Sequence, residues 1–422
     1  MGNTLTVVWL RRISFTLLYL MPLLLAMRAA ADIALSSIGI FFLLRCAFEK
    51  NWEWLRKPAF RLLLILWALM LCIAAIAAGT TLSLTTALVW GRFIPFLAAT
   101  TTWLLVNPRS LNIVWRVGFL VILLFAIDTA WQYYHGISLS GRLATGYNPN
   151  MPLVGQNLRL TGPLTNPNIG NLLLKISLPM AGMAVFSMLT NTRKMALGLA
   201  LAFAIMIVSV ITISGERSIS LLMLLGLAVA GGLIFLNLPP ARRWVVLLAI
   251  VLAALISFLA STQDVVQQRA HYFVEQMGTF WTTPYGQLYR EAFTLWQLHP
   301  LFGIGAGQFR LMSEDAMHMI GGDYADMHPH NMYLEWLVSN GIVGTALFIV
   351  SMILLLHRFL RESLFSGNAC IPAAFACGTL AVLLFPIIGT QSIYSNWPGI
   401  LFWYSMSLAL CAPRIASVNK RQ

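Results

Sequence analysis

Residues 60–78 read FRLLLILWALMLCIAAIAA, a stretch in which Arg61 is the one charged side chain. An α-helix of this length crosses the hydrocarbon core of a bilayer, which is about 30 Å thick. Apolar runs of about 15 to 25 residues recur along the chain. A membrane β-barrel would instead alternate apolar and polar residues in strands of about ten residues. The pattern therefore predicts an all-α integral membrane protein, since helices satisfy their own backbone hydrogen bonds in lipid.

The composition supports this interpretation. Of the 422 residues, 59% are hydrophobic and 10% are charged, whereas a soluble domain carries about 25% charged residues. The formal net charge of +13 would suit a nucleic-acid-binding protein. The basic residues, however, lie in short segments between apolar runs, so the sequence favours a membrane protein with no nucleic-acid partner.

We predict about twelve spans, near residues 12–31, 32–48, 60–78, 84–106, 111–131, 168–189, 195–213, 218–236, 243–261, 333–358, 371–389 and 398–412. Basic residues collect at the termini and after every second span, and the positive-inside rule makes that side cytoplasmic. Both termini are then cytoplasmic, which requires an even number of spans. We expect the first segment to be retained as a span and not cleaved as a signal peptide, because Pro22 interrupts its apolar region.

Residues 1–422 are expected to form a single transmembrane domain with two sizeable loops on the outer side. One loop covers residues 132–167, and the larger covers residues 262–332. The larger loop holds five of the seven histidines and seven acidic residues, and we expect it to contain short helices and part of an active site.

Among the arginines predicted on the outer side, four stand out against the positive-inside bias: Arg142, Arg159, Arg217 and Arg290. Arg217 lies in a very short turn between two spans, where a charge near the membrane needs a partner. It could pair with Glu216 or with lipid headgroups. Alternatively, the arginines form an anion site for a phosphorylated lipid, because guanidinium groups bind phosphate oxygens in pairs.

The sequence Met327-His328-Pro329-His330-Asn331 directly precedes a predicted helix. Histidine titrates near neutral pH and can remove a proton from a hydroxyl group. Asn331 is a candidate N-cap, which would hold His330 at the mouth of the helix. A structural role for these histidines remains open, and so does a divalent-cation site that includes Asp323, Asp326, His328 and His330.

A third block runs from Tyr289 to Gly307. Its first part, residues 289–296, has the pattern of a helix lying on the membrane surface. Gly303, Gly305 and Gly307 do not form a dinucleotide-binding fingerprint, because no strand precedes them. They predict a tight turn that needs positive φ angles or close packing.

Together these blocks resemble the bacterial O-antigen ligase and polymerase superfamily. The resemblance rests on His330-Asn331, followed after nine intervening residues by Gly341 and then by Gly344 and Thr345. Residues 290–305 and 214–218 are similar to two further blocks of that superfamily. It implies an architecture like that of the all-helical GT-C membrane glycosyltransferases, with the active site on the periplasmic face of the bacterial inner membrane.

The resemblance also implies a reaction. The donor would be an undecaprenyl-diphosphate-linked O-antigen glycan, the acceptor would be the lipid A–core oligosaccharide, and the transfer would be inverting. It implies that no metal and no other cofactor is needed, which agrees with the lack of acidic residues in 132–167. We predict His330 as general base, Arg217 and Arg290 as catalytic groups on the diphosphate, and as substrate-binding residues Arg142, Arg159, His328, Asn331 and Glu335.

Three alternatives remain open at this point. An O-antigen polymerase would use the same donor, and a protein O-oligosaccharyltransferase would glycosylate a protein. A transporter of lipid-linked sugars is a different class, and it should show pseudo-symmetric halves. No internal repeat is visible in the sequence, so transport is the less favoured alternative.

Overall fold

The computed structural model describes residues 2–77, 80–150, 158–190, 194–237, 278–363, 370–386 and 392–420. Within these ranges the chain forms α-helices that we number α1 to α14: Gly2–Leu24, Arg28–Glu49, Pro58–Ile76, Thr80–Gly91, Phe93–Ala99, Pro108–His135, Ile169–Thr190, Lys194–Ile213, Arg217–Asn237, Pro284–Leu298, Phe309–Met319, Met332–Ser363, Cys370–Leu383 and Asn396–Cys411. A π-helical turn, Thr100–Leu104, follows α5, and 3₁₀ turns cover Glu53–Arg56, Phe280–Thr282 and Ala412–Lys420.

The prediction of an all-α membrane protein is confirmed. Within the described ranges, nine helical segments are long and apolar enough to cross a bilayer, and two shorter apolar helices, Ala202–Ile213 and Cys370–Leu383, accompany them. These eleven segments overlap eleven of the twelve predicted spans, although the first two helices meet at residues 25–27 and not at the predicted boundary between residues 31 and 32. The predicted span at 243–261 and the first part of the 262–332 loop lie outside the described residues.

The fourth predicted span differs from a simple helix. It consists of α4, α5 and the π-turn, with a break at Arg92. Arg92 forms an ion pair with Asp32 of α2, and it donates hydrogen bonds to Ser36 Oγ at 3.2 Å and Asn396 Oδ1 at 3.3 Å. A charge within a span is costly unless it is paired. This arginine therefore joins α2, the α4–α5 break and the start of α14.

Helix α12 is broken within its first third, at Gly341, where φ is 61° and ψ is −169°. The segment 300–305 docks into this break. The amides of Ile304 and Gly305 donate to the carbonyls of residues 338 and 339, at 2.9 Å each, and the amide of Ile342 donates to Pro300 O at 2.9 Å. A break within a membrane helix leaves backbone groups that must find partners. The docked segment supplies those partners and fixes the large outer loop to α12.

The predicted glycine turn is also confirmed. Gly303, Gly305 and Gly307 have φ angles of 73°, 102° and 76°. Only glycine adopts such angles without steric cost. The turn directs the chain from the end of α10 into the break of α12 and then into α11.

Helix α13 runs antiparallel to α7 and α9. Gly226 of α9 lies against Gly378 and Val382 of α13, and Ala230, one turn later in α9, lies against Gly378. Small residues at such crossings let the helix backbones approach closely. The C-terminal end of α13 therefore lies at the same end of the bundle as the N-terminal end of α9.

Candidate functional site

The segment before α12 adopts the predicted N-cap. Asn331 Oδ1 accepts hydrogen bonds from the amides of Tyr333 at 3.0 Å and Leu334 at 3.2 Å. Capping of this kind satisfies amide groups that the first turn of a helix leaves free. His330 precedes the cap with φ at 50°, which is the left-handed region that non-glycine residues rarely occupy. The cap and this backbone turn together fix the imidazole at the helix mouth.

Among the described residues, one nitrogen of the His330 imidazole has a hydrogen-bond partner and the other has none. Its Nε2 lies 3.2 Å from Asp326 Oδ2. Burial opposes ionisation of Asp326, but hydrogen bonds from the Met327 amide, His330 and Tyr324 outweigh burial and lower the carboxyl pKa. An ionised carboxylate can only accept, so Nε2 carries the proton. Nδ1, which is buried and has no hydrogen bond to a described residue, is then a proton acceptor.

Helices α10 and α11 hold the loop that carries Asp326. Gln287 of α10 accepts hydrogen bonds from the amides of Asp323 at 3.0 Å and Tyr324 at 3.1 Å. Ser313 of α11 accepts from the Asp326 amide at 3.3 Å and donates to Glu291 Oε2 at 2.7 Å. The carboxylate that orients His330 is therefore fixed by two helices and does not depend on a free loop.

One face of α10 lies directly against the histidine segment. Tyr285 makes an edge-on ring contact with His330, with centroids 5.3 Å apart, and Tyr289 Oη accepts from Asn331 Nδ2 at 3.2 Å. Arg290 follows Tyr289 on the same helix, and its side chain is exposed. The structure thus brings the helix that carries Arg290 into contact with His330 and Asn331.

The predicted residue His328 also lies in this group. Its ring centroid is 4.1 Å from that of His330. One ligand atom each from Asp326, His328 and His330 lies within 4.8 Å of the others, and such a set could hold a metal ion. Asp323, the fourth candidate ligand in the sequence, instead accepts a hydrogen bond from Gln287 Nε2 at 2.6 Å.

A second group forms around the turn between α8 and α9. The backbone of Arg159 pairs with that of Thr145 in an isolated β-bridge, and the Leu160 amide donates to Ser214 O at 2.9 Å. Gly215, with φ at 84°, packs directly against the Arg159 backbone. Arg159 therefore lies beside the turn from which Arg217 begins α9. The side chain of Arg217 is outside the described part of the structure.

Glu216 lies at the centre of this second group and is buried. Its Oε1 accepts the Gly170 amide at 2.6 Å, at the start of α7. The charges of Arg159 and Lys175 also act on it. If Arg217 had a purely structural role, Glu216 was one partner expected for it from the sequence. The described partners of this carboxylate are in α7 and in the 158–160 segment, and its pairing with Arg217 stays a prediction.

The two groups lie at the same end of the helix bundle. Tyr333 Oη donates to Leu384 O at 2.9 Å, directly after the C-terminal end of α13. That end of α13 is also the end at which α9 begins, because the two helices are antiparallel. His330 and the backbone of Arg217 therefore share one end of the bundle. Their convergence around a single diphosphate stays a prediction.

The remaining predicted residues lie nearby in different settings. Arg142 is exposed, and its backbone oxygen accepts from Gln132 Nε2 at 2.9 Å. Glu335 is buried within α12, where it bonds to the Ser392 side chain and the Ile393 backbone. Its described partners are thus in the segment before α14. The roles of both residues in substrate binding stay predictions.

Residues 178–349 match the family model described as O-antigen ligase. The match covers 172 of the 422 residues and supports the assignment of the chain to the O-antigen ligase superfamily. A comparison with curated proteins gave no match. The matched region extends from within α7 to a point beyond the break of α12, and it includes Arg217, Arg290, His330 and Glu335, whereas Arg142 and Arg159 precede it.

The geometry singles out three residues whose roles were missed in the sequence. Asp326 was considered only as a metal ligand, yet it is the described partner of the His330 imidazole. Tyr285 and Tyr289 were missed as well. The one available signal was the presence of Asp326 four residues before His330, which becomes informative only when the turn between them is known.

The buried Glu216 gives a testable pH dependence. Burial raises its pKa from 4.5 to about 7, although the Gly170 amide and Arg159 oppose the rise. Between these values the folded protein keeps a proton that the unfolded chain releases, so the stability due to this group falls as pH rises from 4.5 to about 7. We expect the apparent Tm of the wild type in detergent to fall more between about pH 5 and pH 8 than that of Glu216→Gln.

The control for this measurement is Glu314→Gln, which changes an exposed carboxylate of α11. Its Tm curve should run parallel to that of the wild type. Parallel curves for wild type and Glu216→Gln would show that the carboxyl group does not titrate in the folded protein over this range.

Proposed function

We propose that the protein is an O-antigen ligase that transfers a glycan from undecaprenyl diphosphate to the lipid A–core oligosaccharide. The observation that carries the proposal is the Asp326–His330 pair, whose open Nδ1 faces no described partner. It lies at the end of the bundle where Arg217 begins α9. Membership of the superfamily supports a lipid-linked glycan as the donor.

In the proposed reaction, a hydroxyl oxygen of the acceptor sugar attacks the anomeric carbon of the donor. The bond between that carbon and the diphosphate oxygen breaks, and undecaprenyl diphosphate leaves from the opposite side, which inverts the configuration. His330 Nδ1 takes the hydroxyl proton, while Asp326 stabilises the imidazolium that forms. General-base catalysis of this kind contributes about 10²–10⁴ in rate.

The leaving group must be neutralised as the bond breaks. Guanidinium groups suit a diphosphate because each offers paired donors and keeps its charge at any relevant pH. We assign this role to Arg217 and Arg290, with Arg159 and Arg142 as further contacts. Preorganised charges aimed at the developing negative charge are often the largest single contribution to catalysis.

In the proposed orientation, this site lies on the side of the membrane opposite the cytoplasm. His330 lies directly before the N-terminal end of α12, and the basic segment 358–361 lies near the C-terminal end of the same helix. By the positive-inside rule the basic side is cytoplasmic, with both termini. The site is then periplasmic, in the inner membrane of a bacterium, where His328, Asn331 and Glu335 would contribute to substrate binding.

An O-antigen polymerase and a protein oligosaccharyltransferase are the second candidates, since the superfamily match also fits them. Deletion of the gene distinguishes them from a ligase. A ligase deletion should leave polymerised glycan on undecaprenyl diphosphate and none on lipid A–core. Single repeat units on the core would identify a polymerase, and loss of glycan from a protein alone would identify a protein glycosyltransferase.

Treatment with a chelator tests whether the Asp326–His328–His330 set works with a metal. We expect purified protein to keep its transfer rate in millimolar EDTA, because arginine side chains can neutralise the diphosphate. The measurement compares product formation before and after EDTA, with added Mg²⁺ or Mn²⁺ in a parallel reaction. Loss of transfer in EDTA that either ion restores would replace the general-base mechanism with a metal-assisted one.

A further inference from the structure

A cavity lined by basic side chains lies far from the histidine segment. The cavity measures about 430 Å³ and lies between the end of α2, the Glu53–Arg56 turn, the π-turn and the Ala412–Lys420 turn. Three basic residues line it: Arg45, Lys57 and Arg414. We call it the basic cavity.

The side chains of the basic cavity are arranged to receive an anion. Arg414 is anchored by donating to the carbonyls of Thr101 at 2.7 Å and Leu105 at 3.0 Å, next to the π-turn. Arg45 stacks over the Trp103 ring, and its buried Nε has no acceptor among the described residues. The hydroxyl protons of the threonines in the wall are already donated to backbone carbonyls.

The charge balance of the basic cavity is positive. Arg45 also pairs with Glu49, and Glu53 is a lining residue. Three cations therefore face two carboxylates, which leaves an excess of positive charge. The potential donors among the lining residues are these cations, the Asn51 amide and the Trp54 indole. With positive charge in excess, the matching ligand is an anion with several oxygen acceptors, such as a phosphate.

The basic cavity lies at the opposite end of the bundle from His330. Helix α3 begins beside Lys57, and Ala77 at its far end lies against Gly305 of the segment docked into α12. Nineteen residues of helix span roughly 28 Å. The two sites are therefore separated by nearly the thickness of the hydrocarbon core.

The rim of the basic cavity is apolar. Val106, which lines the cavity, is 43% exposed. Phe48 and Trp52, which adjoin the lining residues in the 45–57 segment, are 43% and 42% exposed. Aromatic residues are typical of the level at which lipid headgroups meet the acyl chains, and basic pockets between helices on the cytoplasmic side bind anionic headgroups. A phospholipid would fit this arrangement, with its phosphate among the cations and its acyl chains against the exposed apolar side chains.

We infer that the basic cavity is a binding site for the phosphate headgroup of an anionic phospholipid, in the leaflet opposite the proposed transfer site. Under the orientation proposed above this is the cytoplasmic leaflet. The inference does not depend on the transfer mechanism, because it rests on residues of α2, the 51–57 segment, the π-turn region and the C-terminal turn, and on none of the residues assigned to transfer.

Native mass spectrometry of the full chain in detergent tests the inference. Wild-type protein should retain phosphatidylglycerol at least tenfold more strongly than phosphatidylcholine. The double variant Arg45→Gln/Lys57→Gln should bind phosphatidylglycerol more weakly, by about fivefold in affinity for each basic residue removed. The matched control is Arg56→Gln, which removes the same charge from an exposed neighbour that does not line the cavity, and its binding should equal that of the wild type.

A photo-crosslinkable phosphatidylglycerol gives a second measurement on the wild type, which does not depend on how well the double variant folds. Crosslinks should fall within residues 45–57 and 101–106. Crosslinks elsewhere, or equal retention of the two lipids, would overturn the inference. Displacement of phosphatidylglycerol by millimolar inorganic phosphate would overturn the assignment to a lipid and identify free phosphate as the ligand.

Discussion

Replacement of His330 by alanine should reduce glycan transfer by about 10²–10⁴, the usual contribution of a general base. The reason is geometric, since Asp326 holds Nε2 and leaves Nδ1 as the open proton acceptor at the mouth of α12. The measurement is a single-turnover assay with purified protein, lipid-linked glycan and lipid A–core, read as glycosylated core. Near-normal transfer by His330→Ala would end the general-base assignment.

The role of Asp326 can be separated from that of its neighbours with a matched pair of variants. Asp326→Asn keeps the side-chain shape but removes the charge that stabilises the imidazolium, so transfer should fall and its pH dependence should shift. Asp323→Asn makes the same change three residues earlier, at an exposed carboxylate that bonds to Gln287. It should transfer at nearly the wild-type rate. Equal losses in both variants would indicate a general distortion of the loop.

The sequence predicted that His330 lies at the mouth of a helix and acts as a base, but not the contacts that orient its imidazole. The N-cap by Asn331 could be predicted because capping depends on residues adjacent in the chain. The left-handed backbone at His330 and the approach of Tyr285 from α10 could not, because they follow from contacts between segments distant in the sequence. The same limit applies to Arg159, whose place beside the Ser214–Gly215 turn follows from pairing across more than fifty residues.

The fold, too, has features that could be predicted from local sequence and features that depend on contacts between distant segments. Hydropathy located the spans because each must cover the bilayer by itself. It did not predict the break at Arg92, which is stabilised by Asp32 of another helix. It also predicted a continuous tenth span at 333–358, since Gly341 interrupts no apolar pattern. The break there becomes necessary only when segment 300–305 docks against it.

Replacement of Gly341 by alanine should prevent the protein from accumulating in the membrane. At φ 61° and ψ −169°, the backbone lies in a region that is essentially restricted to glycine, and strain there costs about 1–3 kcal/mol. A Cβ atom would also overlap the backbone carbonyl of Leu301, which cannot move without breaking the hydrogen bonds of the docked segment. The summed loss should exceed about 3 kcal/mol, measured as membrane yield and as apparent Tm.

The control is Gly232→Ala in α9, where an added Cβ meets open space and the change should be nearly neutral. The variant Gly341→Asn tests whether the site needs only a positive φ, which asparagine tolerates, or the particular combination of φ and ψ that is restricted to glycine. Asparagine tolerates the left-handed helical region, where ψ is near +47°, but a ψ of −169° lies far outside it. Asparagine should therefore be as harmful as alanine. Rescue by asparagine, or wild-type yield and Tm for Gly341→Ala, would mean that α12 does not need this break to hold the loop that carries His330.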